Sequence, residues 1–216
     1  MKSVFLIGDS IRLGYERYVK GMLEGRANVY SPKAVNGGMA QFVQRWCHAW
    51  IGQECNPEEL DLVHFNAGLW DVLRILGDEP FTSPEFYAET LKRITLRLKK
   101  VCPKAKLVFA LSTAVLEDLY IGDEYKRYNA DIEKYNEIAK KTLAPLGVEF
   151  NDLYSVTRNA PREVYSDPTH FNTVEGIKLT GGQVVSCICE KLGIDESGLE
   201  EKEAELFEIP EQILGN

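Results

Sequence analysis

The stretch that most constrains the fold is Val4-Phe5-Leu6-Ile7-Gly8-Asp9-Ser10. Its apolar run has no polar alternation and is far shorter than the ~20 residues of a membrane-spanning helix. It reads as a strand buried on both faces, the kind found inside parallel sheets covered by helices. Gly8 breaks the strand, and apolar residues then recur at helical spacing from Ile11 to Leu23. Ser10 therefore stands where a strand ends and a helix begins, at the sheet edge where open α/β folds bind ligands. A serine there has two readings. It is a helix N-cap, or a nucleophile whose own backbone N–H faces a developing oxyanion. The second reading requires a base to take the hydroxyl proton.

The remaining chain repeats the strand–helix alternation. Strands are expected at 27–30, 61–66, 106–111 and 148–150, and helices at 41–51, 84–101, 130–143 and 173–192. Ser83 and Pro84 form a cap and first-turn pair that starts the second of those helices, and Pro103 closes it. Residues 112–128 and 158–172 have no clear period and read as loops. Strand and helix alternate five times, which predicts a five-stranded parallel sheet in a three-layer α/β/α arrangement. The expected division is one domain over 1–194 and an acidic C-terminal appendage over 195–216.

Composition excludes several classes of function. A formal net charge of -8 over 216 residues argues against a nucleic-acid partner. No stretch is apolar for long enough to cross a membrane, and no export signal precedes the first strand, so a cytoplasmic location is expected. The five cysteines, Cys47, Cys55, Cys102, Cys187 and Cys189, lack a paired CxxC framework and read as reduced thiols. Neither a metal site nor a cofactor fingerprint is legible. A flavodoxin-type nucleotide site at Gly8 would want a glycine-rich G-x-G-x-x-G turn, which is missing.

The search for a base is short because the chain has three histidines. His48 lies between Trp46 and Trp50 on a helix and reads as a packing or surface residue. His64 lies within a strand and reads as a core histidine. His170 lies in Ser166-Asp167-Pro168-Thr169-His170-Phe171-Asn172, a loop that Pro168 keeps from being helical. In a tight turn, residues i and i+3 fold back together. Asp167 can then take the imidazole Nδ1–H and leave Nε2 free as a base. The competing reading is a simple turn in which Asp167 bonds nearby backbone.

Gly8-Asp9-Ser10 after the first strand, with Asp167-x-x-His170 before the last helix, resembles the SGNH (GDSL-type) hydrolase family over about residues 3–191. The resemblance implies a flavodoxin-like fold and a Ser10–His170–Asp167 triad that hydrolyses acyl esters without a cofactor. It also implies oxyanion donors: the Ser10 N–H, a glycine matching Gly37 with Gly38 as competitor, and an asparagine in a G-x-N-D block. The matching stretch here is Gly68-Leu69-Trp70-Asp71, in which Trp70 replaces the asparagine. Asn66 or Trp70 is then the expected substitute donor. Asp9, Trp70 and Asp71 are expected at the substrate site, although Asp9 also shapes the turn. Arg12 is read as a surface ion pair or a pocket residue. Trp70, Tyr15 and Phe171 are candidates for stacking on a sugar. The implied substrate is a short-chain acyl ester, acetyl above all, on a small molecule or carbohydrate. The alternatives are a lipase or acyl-thioesterase, and a non-catalytic binding module on the same fold.

Overall fold

The computed structural model describes residues 1–122 and 124–199. Strand β1 (Lys2–Ile7) leads into helix α1 (Ser10–Met22), followed by β2 (Ala27–Tyr30) and α2 (Ala40–Glu54). Next come β3 (Leu62–Phe65), the two-residue β4 (Arg74–Ile75), α3 (Pro84–Val101) and β5 (Lys106–Ala110). The two-residue β6 (Tyr125–Lys126), α4 (Asn129–Leu143), β7 (Glu149–Asn151), α5 (Leu153–Thr157) and α6 (Val174–Leu192) complete the order.

Five strands form one parallel sheet in the order β2-β1-β3-β5-β7. Val4 pairs with Val29 on one side and Leu62 on the other, and Ile7 pairs with Phe65. Val4, Phe5, Leu6 and Ile7 are all fully buried, as the unbroken apolar run requires of a central strand. Helices α1 and α6 pack together, while α2 packs on α3 and α3 on α4. This is the three-layer α/β/α arrangement expected, with the flavodoxin-like strand order. His64 is buried within β3, its Nε2 3.1 Å from Asn151 Nδ2, and burial pushes its pKa down to about 4. His48 is exposed. The five cysteines are free thiols.

The boundaries of α3 match the Ser83–Pro84 start, with the Ser83 hydroxyl accepting the Phe86 N–H. The loops hold more order than expected. β4 and β6 pair antiparallel as a small ribbon, Arg74 opposite Lys126, and the Arg74 guanidinium is bonded to Asp131 in α4. Helix α5 is a single turn capped by Asp152. Two-residue strands and one-turn helices carry no readable period, so tertiary contacts alone define them. Of the expected appendage over 195–216, residues beyond 199 lie outside the described residues.

Asp71 corrects one expectation. It is fully buried and accepts the Ala40 N–H at 3.0 and 3.3 Å, so it caps α2 instead of facing substrate. The residue that precedes α2 in sequence, Met39, offers no side-chain cap. Burial, reinforced by the negative charge of Asp9, raises the Asp71 carboxyl to about 7 against the hydrogen bond from Ala40.

Two outcomes are expected. A folded pKa above the unfolded value means the native state holds the extra proton, so Asp71 contributes falling stability as pH rises from about 4 through 7. The stability of Asp71→Asn relative to wild type should therefore rise between pH 5 and pH 8 in urea titrations; a flat difference would contradict the buried cap. The second concerns α6. A Cβ on Gly176 would sit 2.1 Å from Val164 O and 2.7 Å from Phe171 O, whereas one on Gly182 meets nothing within 4 Å. Gly176→Ala should cost about 1–3 kcal/mol, and Gly182→Ala should add about 0.5–1 kcal/mol.

Candidate active site

The site begins with the turn after β1. Asp9 is the N-cap of α1, its Oδ1 accepting the Ile11 N–H at 3.0 Å. That fixes Ser10 at the first helical position, half-buried at the carboxyl edge of β1. The chain passes from β1 to β2 on one side and continues to β3 on the other, so β1 borders the crevice where the strand order reverses. The Ser10 N–H belongs to the first turn, whose donors have no acceptor within the helix. It is placed to donate to an anion, with the positive end of the α1 dipole behind it.

The second part comes from the loop before α6. Asp167 Oδ1 accepts the N–H groups of Thr169 and His170 at 2.7 and 2.8 Å. Its Oδ2 lies 2.7 Å from His170 Nδ1, and His170 Nε2 lies 2.8 Å from Ser10 Oγ. The two oxygens of Asp167 thus divide the work: one folds the turn and the other orients the ring. Partial burial opposes ionisation of Asp167, but the bond and charge of His170 and the two backbone donors outweigh it, lowering its pKa to about 2. An ionised Asp167 takes the Nδ1–H, which leaves the lone pair of Nε2 facing the serine hydroxyl. That is the arrangement of a base poised on a nucleophile.

Further bonds hold the loop in place. Ser166 N–H donates to His170 O at 2.8 Å, and Leu116 N–H donates to Pro168 O at 2.8 Å. The hydroxyls of Tyr120 and Thr169 are 2.8 Å apart. The segment between β5 and α4, unreadable in sequence, therefore braces the histidine loop.

Several expected site residues do other work. Gly37 N–H donates to Gly8 O at 2.9 Å, and a Cβ there would meet that same oxygen at 2.7 Å. Gly37 is a glycine because its backbone crosses the end of β1, and its N–H is not presented to an oxyanion. The competing Gly38 N–H donates to Asn36 Oδ1 at 2.9 Å. Asn66 is nine-tenths buried, and its Nδ2 donates to Ala110 O at 2.7 Å, fastening the end of β3 to β5. Asp9 is almost fully buried as the helix cap, so it shapes the turn and does not contact substrate. Tyr15 and Phe171 are core residues, the latter's ring 4.3 Å from that of Tyr165, so neither offers a stacking face. Arg12 is buried, paired with Glu16 and bonded to Val35 O. Trp70 is half-buried.

Arg127 is the residue that sequence reading missed. Half-buried in the short stretch between β6 and α4, it donates from Nε to Leu69 O at 2.6 Å. Its Cζ lies 6.0 Å from the Trp70 ring centroid. Nothing in the local sequence marks it, because it comes to the site from a segment without periodicity.

No family model matches the chain. No curated protein sequence matches it either. Solved structures do. A lipase/acylhydrolase from Enterococcus faecalis is 18% identical, with a TM-score of 0.68 over 94% of this chain and 100% of that one. An acetyl xylan esterase, AlAXEase, is 16% identical, with a TM-score of 0.66 over 86% of this chain and 99% of that one. Axe2, an acetylxylan esterase from Geobacillus stearothermophilus, is 16% identical, with a TM-score of 0.64 over 90% and 95%. With its strand order and the strand-to-helix turn at the end of β1, the chain has the fold of the SGNH, or GDSL-type, hydrolases.

Proposed function

We propose that the protein is a serine esterase that removes short acyl groups, acetyl above all, from a small-molecule or carbohydrate ester. The observation that carries this reading is the unbroken hydrogen-bond chain from Asp167 through His170 to Ser10, with contacts of 2.7 and 2.8 Å. His170 accepts the hydroxyl proton as Ser10 Oγ attacks the acyl carbonyl. The Ser10 N–H, at the head of α1, donates to the oxyanion. Protonated His170, balanced by ionised Asp167, then delivers its proton to the leaving alcohol. Water attacks the acyl-enzyme by the same route and releases the acid.

The preference for a short acyl group is read from the acetylxylan esterases that share the fold. A carbohydrate alcohol is in keeping with those same two esterases and with the half-buried Trp70, whose ring could stack on a sugar. One observation favours a second reading, a lipase or thioesterase acting on a longer apolar group. Leu76, Phe81, Ile121 and Tyr125, on and beside the β4–β6 ribbon, are more than half exposed.

Hydrolysis of p-nitrophenyl acetate, butyrate and octanoate should fall with chain length; a rise toward octanoate would move the assignment to the longer-chain reading. Ser10→Ala should lower the rate at least about 10³-fold. Asp167→Asn should lower kcat about 10²–10⁴-fold by misorienting His170. If wild type and Ser10→Ala are equally inert toward acetate, the triad is idle and the binding-module reading takes over.

A further inference from the structure

An oxyanion formed at Ser10 carries lone pairs that one backbone N–H cannot satisfy, and donors aimed at it usually contribute a large part of the rate. The expected helpers are wholly or partly engaged elsewhere. Gly37 N–H is on Gly8 O and Gly38 N–H on Asn36 Oδ1, at 2.9 Å each, and Asn66 Nδ2 spends one of its two N–H groups on Ala110 O at 2.7 Å. Trp70 occupies the position that the family resemblance assigns to an asparagine donor.

A cation stands at this edge. Arg127 is pinned through Nε to Leu69 O, one residue before Trp70, with its guanidinium 6.0 Å from the indole centroid. Leu69 lines the same small cavity as Asp9 and Ile11, the residues on either side of Ser10. The β3 end that leads to Leu69 is hydrogen-bonded to the β1 end that leads to Ser10, with Phe65 beside Ile7. The charge of Arg127 reaches Asp9, where it offsets part of the effect of burial. The segment that carries Arg127 is also bonded to the histidine loop, through Leu116 to Pro168 and Tyr120 to Thr169. The Ser10–His170 pair and the guanidinium are thus each fastened by a hydrogen bond of their own. With Nε engaged, the two Nη groups still carry four N–H donors.

We propose that Arg127 is a further catalytic residue, whose Nη N–H groups donate to the oxyanion of the tetrahedral intermediate where a neutral asparagine would otherwise act. The inference rests on the esterase reading above. A guanidinium stays charged at every working pH, and a charge-assisted bond to an oxyanion is about twice as strong as a neutral one. Because Leu69 O fixes the group beforehand, little reorganisation is needed as charge develops.

The test uses p-nitrophenyl acetate, which carries no anionic group for Arg127 to bind in the ground state. Arg127→Gln should lose about 10²-fold or more in kcat, with KM changed less than about threefold. Arg127→Lys should lose about tenfold, because an ammonium lacks the planar fork. Millimolar guanidinium should restore part of the Arg127→Gln rate. Methylboronic acid gives a second readout: its boron accepts Ser10 Oγ, the hydroxyl proton passes to His170, and the adduct is a tetrahedral anion. Its affinity should fall in step with kcat.

A kcat and boronate affinity within about threefold of wild type in Arg127→Gln, or a loss confined to KM, overturns the proposal. If thermal unfolding shows that Arg127→Gln does not fold, Arg127→Lys decides by the same threshold. The two readings fail separately. Wild type that neither turns over nor binds the boronate defeats the esterase assignment. Active wild type with inactive Ser10→Ala and unimpaired Arg127→Gln defeats only the role of Arg127.

Discussion

The double burial of β1 is the constraint on which the rest depends. Its apolar side chains are covered on both faces, and its backbone is paired on both edges by β2 and β3. A strand so placed has no freedom of register, since a one-residue slip would exchange the side chains of its two packed faces. The turn that ends it is therefore fixed in space, and Asp9 converts that turn into the start of α1. Ser10 inherits the rigidity of the fully buried run Val4–Ile7. Loops around it need only be brought to a point that is already defined.

Those loops are held by polar groups buried at some cost. Asp9 and Asp71 are both nearly or fully buried, one capping α1 and the other α2, and burial raises the pKa of each. A helix start in the interior leaves unsatisfied N–H donors, and an acceptor brought to them repays part of its own desolvation. Two caps of this kind, one at the end of β1 and one beyond β3, anchor the backbone on both sides of the reversal in strand order. Asn66 closes the adjoining gap by bonding β3 to Ala110 of β5. Residues that motif matching places at a substrate site here build its floor, and Ser10 and His170 are brought together above it.

The legible and illegible parts of the site differ in the range of the interactions behind them. The Asp167–His170 pair could be read because it is local: Pro168 and a three-residue spacing suffice to fold a carboxylate onto an imidazole. The limits of α3 were readable for the same reason, from Ser83, Pro84 and Pro103. That His170 meets Ser10 across 160 positions in sequence came from the family resemblance and not from spacing. The engagement of the Gly37 and Gly38 N–H groups depends on how one loop lies across β1, and sequence carries no record of it. The β4–β6 ribbon and Arg127 lie in a segment whose order comes wholly from contacts with Asp131, Leu69 and the histidine loop.

The sequence by itself determined the strand–helix alternation, the central position of β1 and the chemistry of the serine, histidine and aspartate, because burial patterns and short-range turns are written in consecutive residues. Tertiary structure alone decided which loop N–H groups are engaged by backbone and side-chain acceptors, which carboxylates become buried caps, and which cation is fastened to the Leu69 carbonyl. Each of those outcomes depends on a donor and an acceptor far apart in the chain, and only the packed layers bring them within hydrogen-bond distance.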